Sequence, residues 1–509
     1  VNDDAPPKAK PSEGSTESVR REKLERLRAE GIDPYPREGF PNRDKISAIE
    51  EAHDPEQLEE GEQAGFSYRI AGRVVGRRGH GKTIFLDIRD LSGQIQAYAR
   101  VDALGEEAFG RIDVLDIGDS VGIEGDLYVT KRGQLALAVR ECTMLGKALR
   151  DPPDLFHGIS DVEVRYRHRE LDLMANPDSR KIFTLRAKLV AAIRNYLNER
   201  DFIEVETPIL QTLAGGAAAR PFTTHHHALN RKMHLRTATE LYLKRAIVGG
   251  FENVYELGRF FRNEGLSPKH NPEFTMLEWF LSCAGYEGVM AFAEEMIAKV
   301  VAEVNEGSTV VKRGDYEIDF KAPWKRITLR QAILDKTEVD ILTAGREELV
   351  AVLGEDAPPD ADWAWIVDGI QGKLIEPDLV QPTFLVNLPR ELWPTVKPFP
   401  RCPEQPEDRE LGEAFDGVVE RMEIIGGGTD TNDADMQRES FVRQRRRRHP
   451  ESEEAPYPSD DEFVGALEYG SLPAGGSGIG IDRLTMILAG VENLRDVILF
   501  PSMRQGAAE

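Results

Sequence analysis

Between Phe66 and Cys142 apolar and polar residues alternate, and the alternation breaks at Gly-containing turns (Gly79, Gly81, Ser92-Gly93, Arg132-Gly133). Period two marks half-buried strands, so the pattern predicts strands over 66–76, 83–89, 93–99, 119–129 and 134–141. Five short strands with a break between the third and the fourth predict a small Greek-key barrel of the OB type, a common platform for single-stranded nucleic acid. A Pro- and charge-rich connector over 146–178 then places a domain boundary near residue 150. Beyond it the period lengthens. Ile182, Leu185, Leu189, Ala192, Ile193 and Leu197 recur at helical spacing and predict a helix over roughly 179–200. Further helices are predicted over 19–30, stopped by Gly31 and Pro34, and over 239–249 and 285–304. Residues 413–430 read as extended, 475–490 as a Gly-rich strand entering an apolar helix, and 308–365 as short alternating elements with a loop at Pro358-Pro359. The fold class is α+β.

The stretch from Phe251 to Leu281 reads as two extended runs joined by a polar loop containing Gly265, Ser267, Pro268, Asn271 and Pro272, hence a long antiparallel hairpin. Arg262 and Glu264 stand at the loop mouth, and Glu278 interrupts an apolar run between Leu277 and Trp279. Alternation puts Phe274, Met276, Glu278 and Phe280 on one face, with Phe274 and Glu278 roughly 13 Å apart at ~3.3 Å per residue. That is about the span of a nucleotide laid end to end with a small amino acid. Arg483, at the start of the last apolar helix, needs an anionic partner, because an unpaired buried guanidinium is costly.

Composition narrows the picture. A chain of 509 residues, 40% hydrophobic, can build two or three domains with real cores, and no apolar run approaches the ~20 residues of a membrane span. The net charge of −24 argues against nucleic-acid binding by the whole surface and leaves room for a local basic patch. Arg73, Arg77, Arg78, Lys82 and Arg89 supply such a patch in the barrel, with Phe85 as a stacking aromatic or a core residue. Cys142, Cys283 and Cys402 are isolated and odd in number, which fits a cytoplasmic protein without disulfides or a zinc site. The polar start, residues 1–18, reads as a disordered tail and not as a signal peptide.

Three motifs lead nowhere. Gly76 to Thr83 (GRRGHGKT) matches a phosphate-binding loop literally, but TIFLDIRD follows it where a helix N-terminus is required, so it is a basic hairpin turn. His225-His226-His227 points alternately on an extended chain, so one ion could not use all three. The Arg-rich run at 443–448 reads as an exposed insertion or a helix face.

Taken together, FRNEG at 261–265, HNPEFTMLE at 270–278, GIGIDR at 478–483 and VETP at 205–208 resemble the signature motifs of class II aminoacyl-tRNA synthetases, and among them the bacterial lysyl-tRNA synthetases. The resemblance runs from Arg20 to Met503, through RYRHRELDL, GGAAARPF, THHHAL, ATELYLKR and RDVILFP. It implies a helix and OB-fold anticodon-binding domain over 19–148 and a catalytic domain over 149–509 built as an antiparallel sheet flanked by helices. It also implies a homodimer that uses ATP, Mg2+, lysine and tRNA(Lys), off the membrane.

Residue by residue, the resemblance gives Arg262, Glu264 and Arg483 catalytic roles. Arg262 bridges the α-phosphate and the amino-acid carboxylate, Glu264 and His270 hold ATP, Phe274 stacks on adenine and Arg483 pairs with the γ-phosphate. Gly216 and Glu240 meet the α-amino group, while Glu278, Phe280 and Asp430 belong to the lysine pocket. Asp416 and Glu423 are magnesium ligands, and Arg77, Phe85 and Gln96 are anticodon contacts. Where the family carries an Asn, an aromatic and a Glu, this chain has Gly426, Gly428 and Asp430, and Phe280 stands where a Tyr is usual. Those departures imply a roomier pocket without its aromatic wall. They leave open a paralogue that activates a different or modified amino acid, and, in a different class, a non-catalytic tRNA-binding derivative.

Overall fold

A computed structural model describes residues 15–58, 63–79, 81–217, 219–357, 361–402, 405–448 and 460–504, for 63, 64, 356 and 445–448 the backbone alone. Most of the expected tail, His80 of the GRRGHGKT run and the Pro358-Pro359 loop lie outside the described residues. The chain forms two compact units, 1–176 and 177–509.

In the first unit helix α1 (Thr16–Ala29) begins inside the stretch expected to be tail, because the Ser15 hydroxyl accepts from the Ser18 amide and caps it. The barrel strands are β1 (Gln63–Arg78), β2 (Thr83–Arg89), β3 (Gln94–Arg100), β4 (Ser120–Val129) and β5 (Leu135–Gly146), closed in the order β1-β2-β3-β5-β4. Helix α2 (Glu106–Asp113) fills the break between β3 and β4. Strict alternation along β2 sends Ile84, Leu86 and Ile88 into a core shared with Ile70, Val74 and Ile123. Thr83 opens a strand and not a helix, so the Gly-Lys-Thr run has no helix dipole to offer a phosphate.

The second unit is built on an eight-stranded sheet. Its elements are α3 (Pro177–Asn198), β6 (Ile203–Glu204), α4 (Glu240–Val248), β7 (Asn253–Phe261), β8 (Glu273–Ser282), α5 (Tyr286–Val304), β9 (Lys325–Thr328), β10 (Thr383–Val386), β11 (Ala414–Val419), β12 (Met422–Thr429), α6 (Ala434–Arg448), β13 (Ala474–Gly480) and α7 (Ile481–Ala489). The strand order is β9-β10-β11-β12-β13-β8-β7-β6. The sheet is mixed and not wholly antiparallel, since β6/β7 and β9/β10 pair in parallel at its two edges. The long hairpin is β7 and β8, in unbroken register from Asn253↔Leu281 to Phe261↔Glu273.

One face of the sheet is sealed by α3 and α5. Val289, Met290, Ala293, Ile297 and Val301 of α5 form a helical stripe that meets Leu189, Ala192 and Ile193 of α3 and Trp279 of β8. With that face closed by apolar packing, the other face is left to carry polar residues, and it forms the site. The run at 443–448 lies at the end of α6. No helix among the described residues is long and apolar enough to cross a membrane.

Candidate active site

On the open face, strand register lines up two rows. One runs Asp416, Gly426, Gly478, Glu278, and the other Ala414, Gly428, Gly476, Phe280. Four glycines therefore form the centre of the floor. Each of their missing side chains is replaced by a neighbour's. A Cβ on Gly476 would lie 2.1 Å from the Phe280 ring, and one on Gly478 would lie 2.9 Å from the Met276 methyl. At Gly426 it would meet the Trp393 indole at 2.9 Å, and at Gly428 the Val396 methyl at 2.6 Å.

Over this floor opens a cavity of about 250 Å³ walled by Gly216, Glu240, Glu278, Phe280, Trp393 and Asp430, among others. A second, of about 240 Å³, is walled by Glu264, His270, Phe274, Asp482 and Arg483, among others. Arg262, Met276, Glu423 and Gly478 line both. The residues expected for the amino acid and those expected for ATP thus fall into two compartments with a common partition. Arg262 lies over Phe274, 5.2 Å from its ring centroid, and its Nε is buried without a hydrogen-bond partner. An unsatisfied guanidinium N–H between two cavities is a donor waiting for an anion.

The first compartment is rich in buried carboxylates. Glu278 is buried in the middle of β8, and its Oε2 accepts from the Thr239 amide at 2.9 Å and from the Thr239 hydroxyl. Thr239 caps the N-terminus of α4, so the carboxylate sits at the positive end of a helix dipole. Burial still dominates and pushes Glu278 up to about 7, Thr239 pulling the other way. Asp430, just past the end of β12, is also pushed to about 7 by burial, against the pull of Lys244. Its Oδ2 is buried without a partner.

Lys244 joins the site from outside the expected set. Its Nζ lies 2.6 Å from Glu240 and 2.8 Å from Asp430 on the buried side of α4, so two carboxylates expected to meet substrate already share one internal cation. The signal was available, because Glu240 and Lys244 are one helical turn apart. Trp393 had no such signal. It reaches the floor from the segment before β11, and it supplies an aromatic where the sequence implied that none remained. The pocket is correspondingly less open than the glycines at 426 and 428 alone suggest.

In the second compartment Arg483 Nη1 donates to the Glu423 carbonyl at 2.5 Å, and Nη2 lies 3.3 Å from His270 Nε2. Burial and Arg483 hold His270 below its ordinary value, hence neutral near pH 7. Its Nδ1 is 2.8 Å from the Ser267 hydroxyl. Asp416 is buried beside the partition, accepts from Gln371 Nε2 at 2.7 Å, and is held well above the usual carboxylate range by burial and then by Glu423. Glu423 lines the phosphate-sized cavity and Asp416 lies close behind it; such a carboxylate pair suits a magnesium ion, a hard cation that takes one or two carboxylates and completes its shell from phosphate and water.

On the barrel, Phe85 is half-buried and stacks on Tyr98 at 4.9 Å. Gln96 is on the same outer face, bonded to Asp87 at 3.2 Å. Arg77 turns elsewhere, to Asp113 at 2.7 Å, and Arg78 is the residue opposite Phe85. Of the three histidines, His225 and His226 end a strand and His227 opens the turn after it, with the His225 and His227 rings 5.2 Å apart.

The family model for class II tRNA synthetases (D, K and N) matches residues 161–504, and that for the OB-fold nucleic acid binding domain matches 68–145. The chain belongs to the class II tRNA synthetases. Among its relatives, the lysine–tRNA ligase of Dehalococcoides mccartyi is 42% identical over 95% of this chain and 96% of its own length. That of Lysinibacillus sphaericus is 43% identical over 96% of each, and that of Haemophilus influenzae 44% identical over 96% and 97%. Both cavities and the Arg262 partition between them lie inside the region that the synthetase model matches.

Proposed function

We propose that this chain is a lysine–tRNA ligase, which activates lysine with ATP and passes the lysyl group to the 3′ adenosine of tRNA(Lys). The observation that carries the reading is the charge balance of the glycine-floored cavity. Glu240, Glu278 and Asp430 contribute three carboxylates and Lys244 offsets one of them, while Arg262 waits at the mouth. A diamino acid brings two ammonium groups for the carboxylates and one carboxylate for Arg262. Aspartate, another substrate in the family's description, would add an anion to an anionic pocket, and asparagine would leave buried carboxylates unpaired.

In this reading the lysine carboxylate attacks the α-phosphorus in line. The new acyl–oxygen–phosphorus bond forms as the α–β bridge breaks, and pyrophosphate leaves. Arg262 holds the attacking carboxylate and the α-phosphate together, so that the arginine supplies positioning and neutralises charge in one place. Glu264, His270 and Arg483 hold the nucleotide and Phe274 the base. Asp416 and Glu423 would hold magnesium, which supplies charge neutralisation on the phosphates when bound. The barrel face at Phe85 and Gln96 is the anticodon platform. Ile203 of β6 and Ile209, Leu210 and Leu213 in the segment after it are all more than 40% exposed and offer apolar surface to a second copy in a cytoplasmic homodimer.

ATP–pyrophosphate exchange with each amino acid supplied singly tests the reading. Exchange with lysine supports it, and exchange with a different amino acid alone, or with none, refutes it.

A further inference from the structure

The floor under the amino-acid cavity has no side chains of its own at 426, 428, 476 and 478, so what stands over it comes from elsewhere. Phe280 and Met276 cover the β13 side from within the sheet. The β12 side is covered by a loop. Trp393, Pro394, Thr395 and Val396 form a tight turn, with the Val396 amide donating to the Trp393 carbonyl at 3.2 Å and Pro394 at the second position, where its fixed φ suits a turn.

This turn is fastened on two sides. The Thr431 amide donates to the Thr395 carbonyl and the Lys397 amide to the Thr429 carbonyl, which ties it to the end of β12. Gln437 and Gln444 of α6 donate to the carbonyls of Pro394 and Glu391, and Arg390 donates to Ser440 at 3.0 Å. Pro394, Thr395 and Val396 are buried. The indole is therefore held in place over Gly426, two strands across the floor from Glu278, a separation of about 10 Å at ~4.8 Å per strand. A side chain of any size at 426 would have to displace it.

We propose that Trp393, with Val396 beside it, is the specificity wall of the amino-acid cavity. The fastened turn, and not the sheet, sets how much room the substrate side chain has opposite Glu278. The wall rests on the reading of this cavity as the amino-acid pocket. It restricts the pocket to an unbranched, unsubstituted diamino acid, and removing the indole admits cationic analogues enlarged by one or more carbons.

The test is ATP–pyrophosphate exchange by the full chain with lysine, homolysine, Nε-methyl-lysine and arginine, for wild type, Trp393→Phe and Trp393→Ala. One added methylene in an apolar wall is discriminated by about 10- to 200-fold. Trp393→Ala should therefore raise the kcat/KM of at least one enlarged cation relative to lysine by about tenfold or more, with Trp393→Phe in between. Adding Gly426→Leu to Trp393→Ala should restore selectivity, because the new side chain points into the vacated space. Ratios that stay within about twofold of wild type for every analogue, in a variant that still exchanges with lysine, overturn the proposal. Should Trp393→Ala exchange with nothing, Trp393→Phe decides on the same ratio. If wild type exchanges with another amino acid and not with lysine, the functional reading falls by itself. The ratio is then taken against that amino acid's one-carbon homologue, and the same threshold decides the wall.

Discussion

Replacing Glu278 with Gln should make the unliganded protein more stable while abolishing its chemistry. Glu278 is 7% exposed and its proton affinity is raised from an ordinary 4.5 to about 7, burial being the first cause. A carboxyl whose folded pKa lies above its unfolded one weakens the fold as it ionises. The effect is absent well below pH 4.5, grows between 4.5 and about 7, and is complete above that. At ~1.4 kcal/mol per pH unit, the full effect is about 3 kcal/mol. Glutamine keeps an acceptor for both Thr239 donors and carries no charge, so it removes this cost. Thermal scans of both proteins without ligand should nearly coincide near pH 4.5. By pH 8 they should diverge by roughly 5 °C, the variant melting higher, given how little a large unit's midpoint moves per kcal/mol. Lysine should raise the wild-type midpoint at pH 8 and leave the variant's unmoved, and exchange by the variant should fall by about two orders of magnitude or more. Parallel melting curves across this pH range would refute the reasoning, because they would mean that Glu278 is neither buried nor uncompensated in the free enzyme.

Four further outcomes follow from the same geometry. Arg262→Ala should abolish exchange at saturating lysine and ATP, and wild-type exchange by this variant would remove Arg262 from the partition. Lys244→Met leaves Glu240 and Asp430 facing each other without their cation and should destabilise the protein by about 3–5 kcal/mol, read as a lowered urea midpoint near pH 8. Phe85→Ala should lower aminoacylation of tRNA by about tenfold and spare exchange, since a stacked base is worth ~1–3 kcal/mol; equal loss in both assays would make Phe85 a packing residue. Chelation should stop exchange and added magnesium restore it, with Asp416→Asn raising the magnesium concentration needed.

The barrel and the hairpin were legible for a simple reason. In β2 and β8 the side chain's direction is set by position parity, so the alternation around Ile84, Leu86 and Ile88 and the shared face of Phe274, Met276 and Glu278 can be read without a structure. Helix α5 was legible for the same reason at its own period. The parallel edges of the large sheet were not, because β6 and β9 are too short to declare a direction. Lys244 was visible as a helical neighbour of Glu240, but Asp430, which closes the triad, is nearly two hundred residues away in sequence. Trp393 was hidden altogether. A glycine reports that space is needed above it, but not which side chain takes the space, so Gly426 and Gly428 read as an opening when they are a close fit.

The partition that the two cavities share has a thermodynamic consequence. Arg262 serves both compartments, and ordering a long side chain costs conformational entropy whichever ligand does it. The ligand that arrives first meets that cost, and the second finds the guanidinium already placed. With the proposed roles of the two cavities, binding of the nucleotide and of the amino acid should be cooperative, and linkage makes the cooperativity reciprocal: the factor by which a non-hydrolysable nucleotide tightens the amino acid must equal the factor by which the amino acid tightens the nucleotide. A single side chain in a common wall would thus make each substrate an effector of the other.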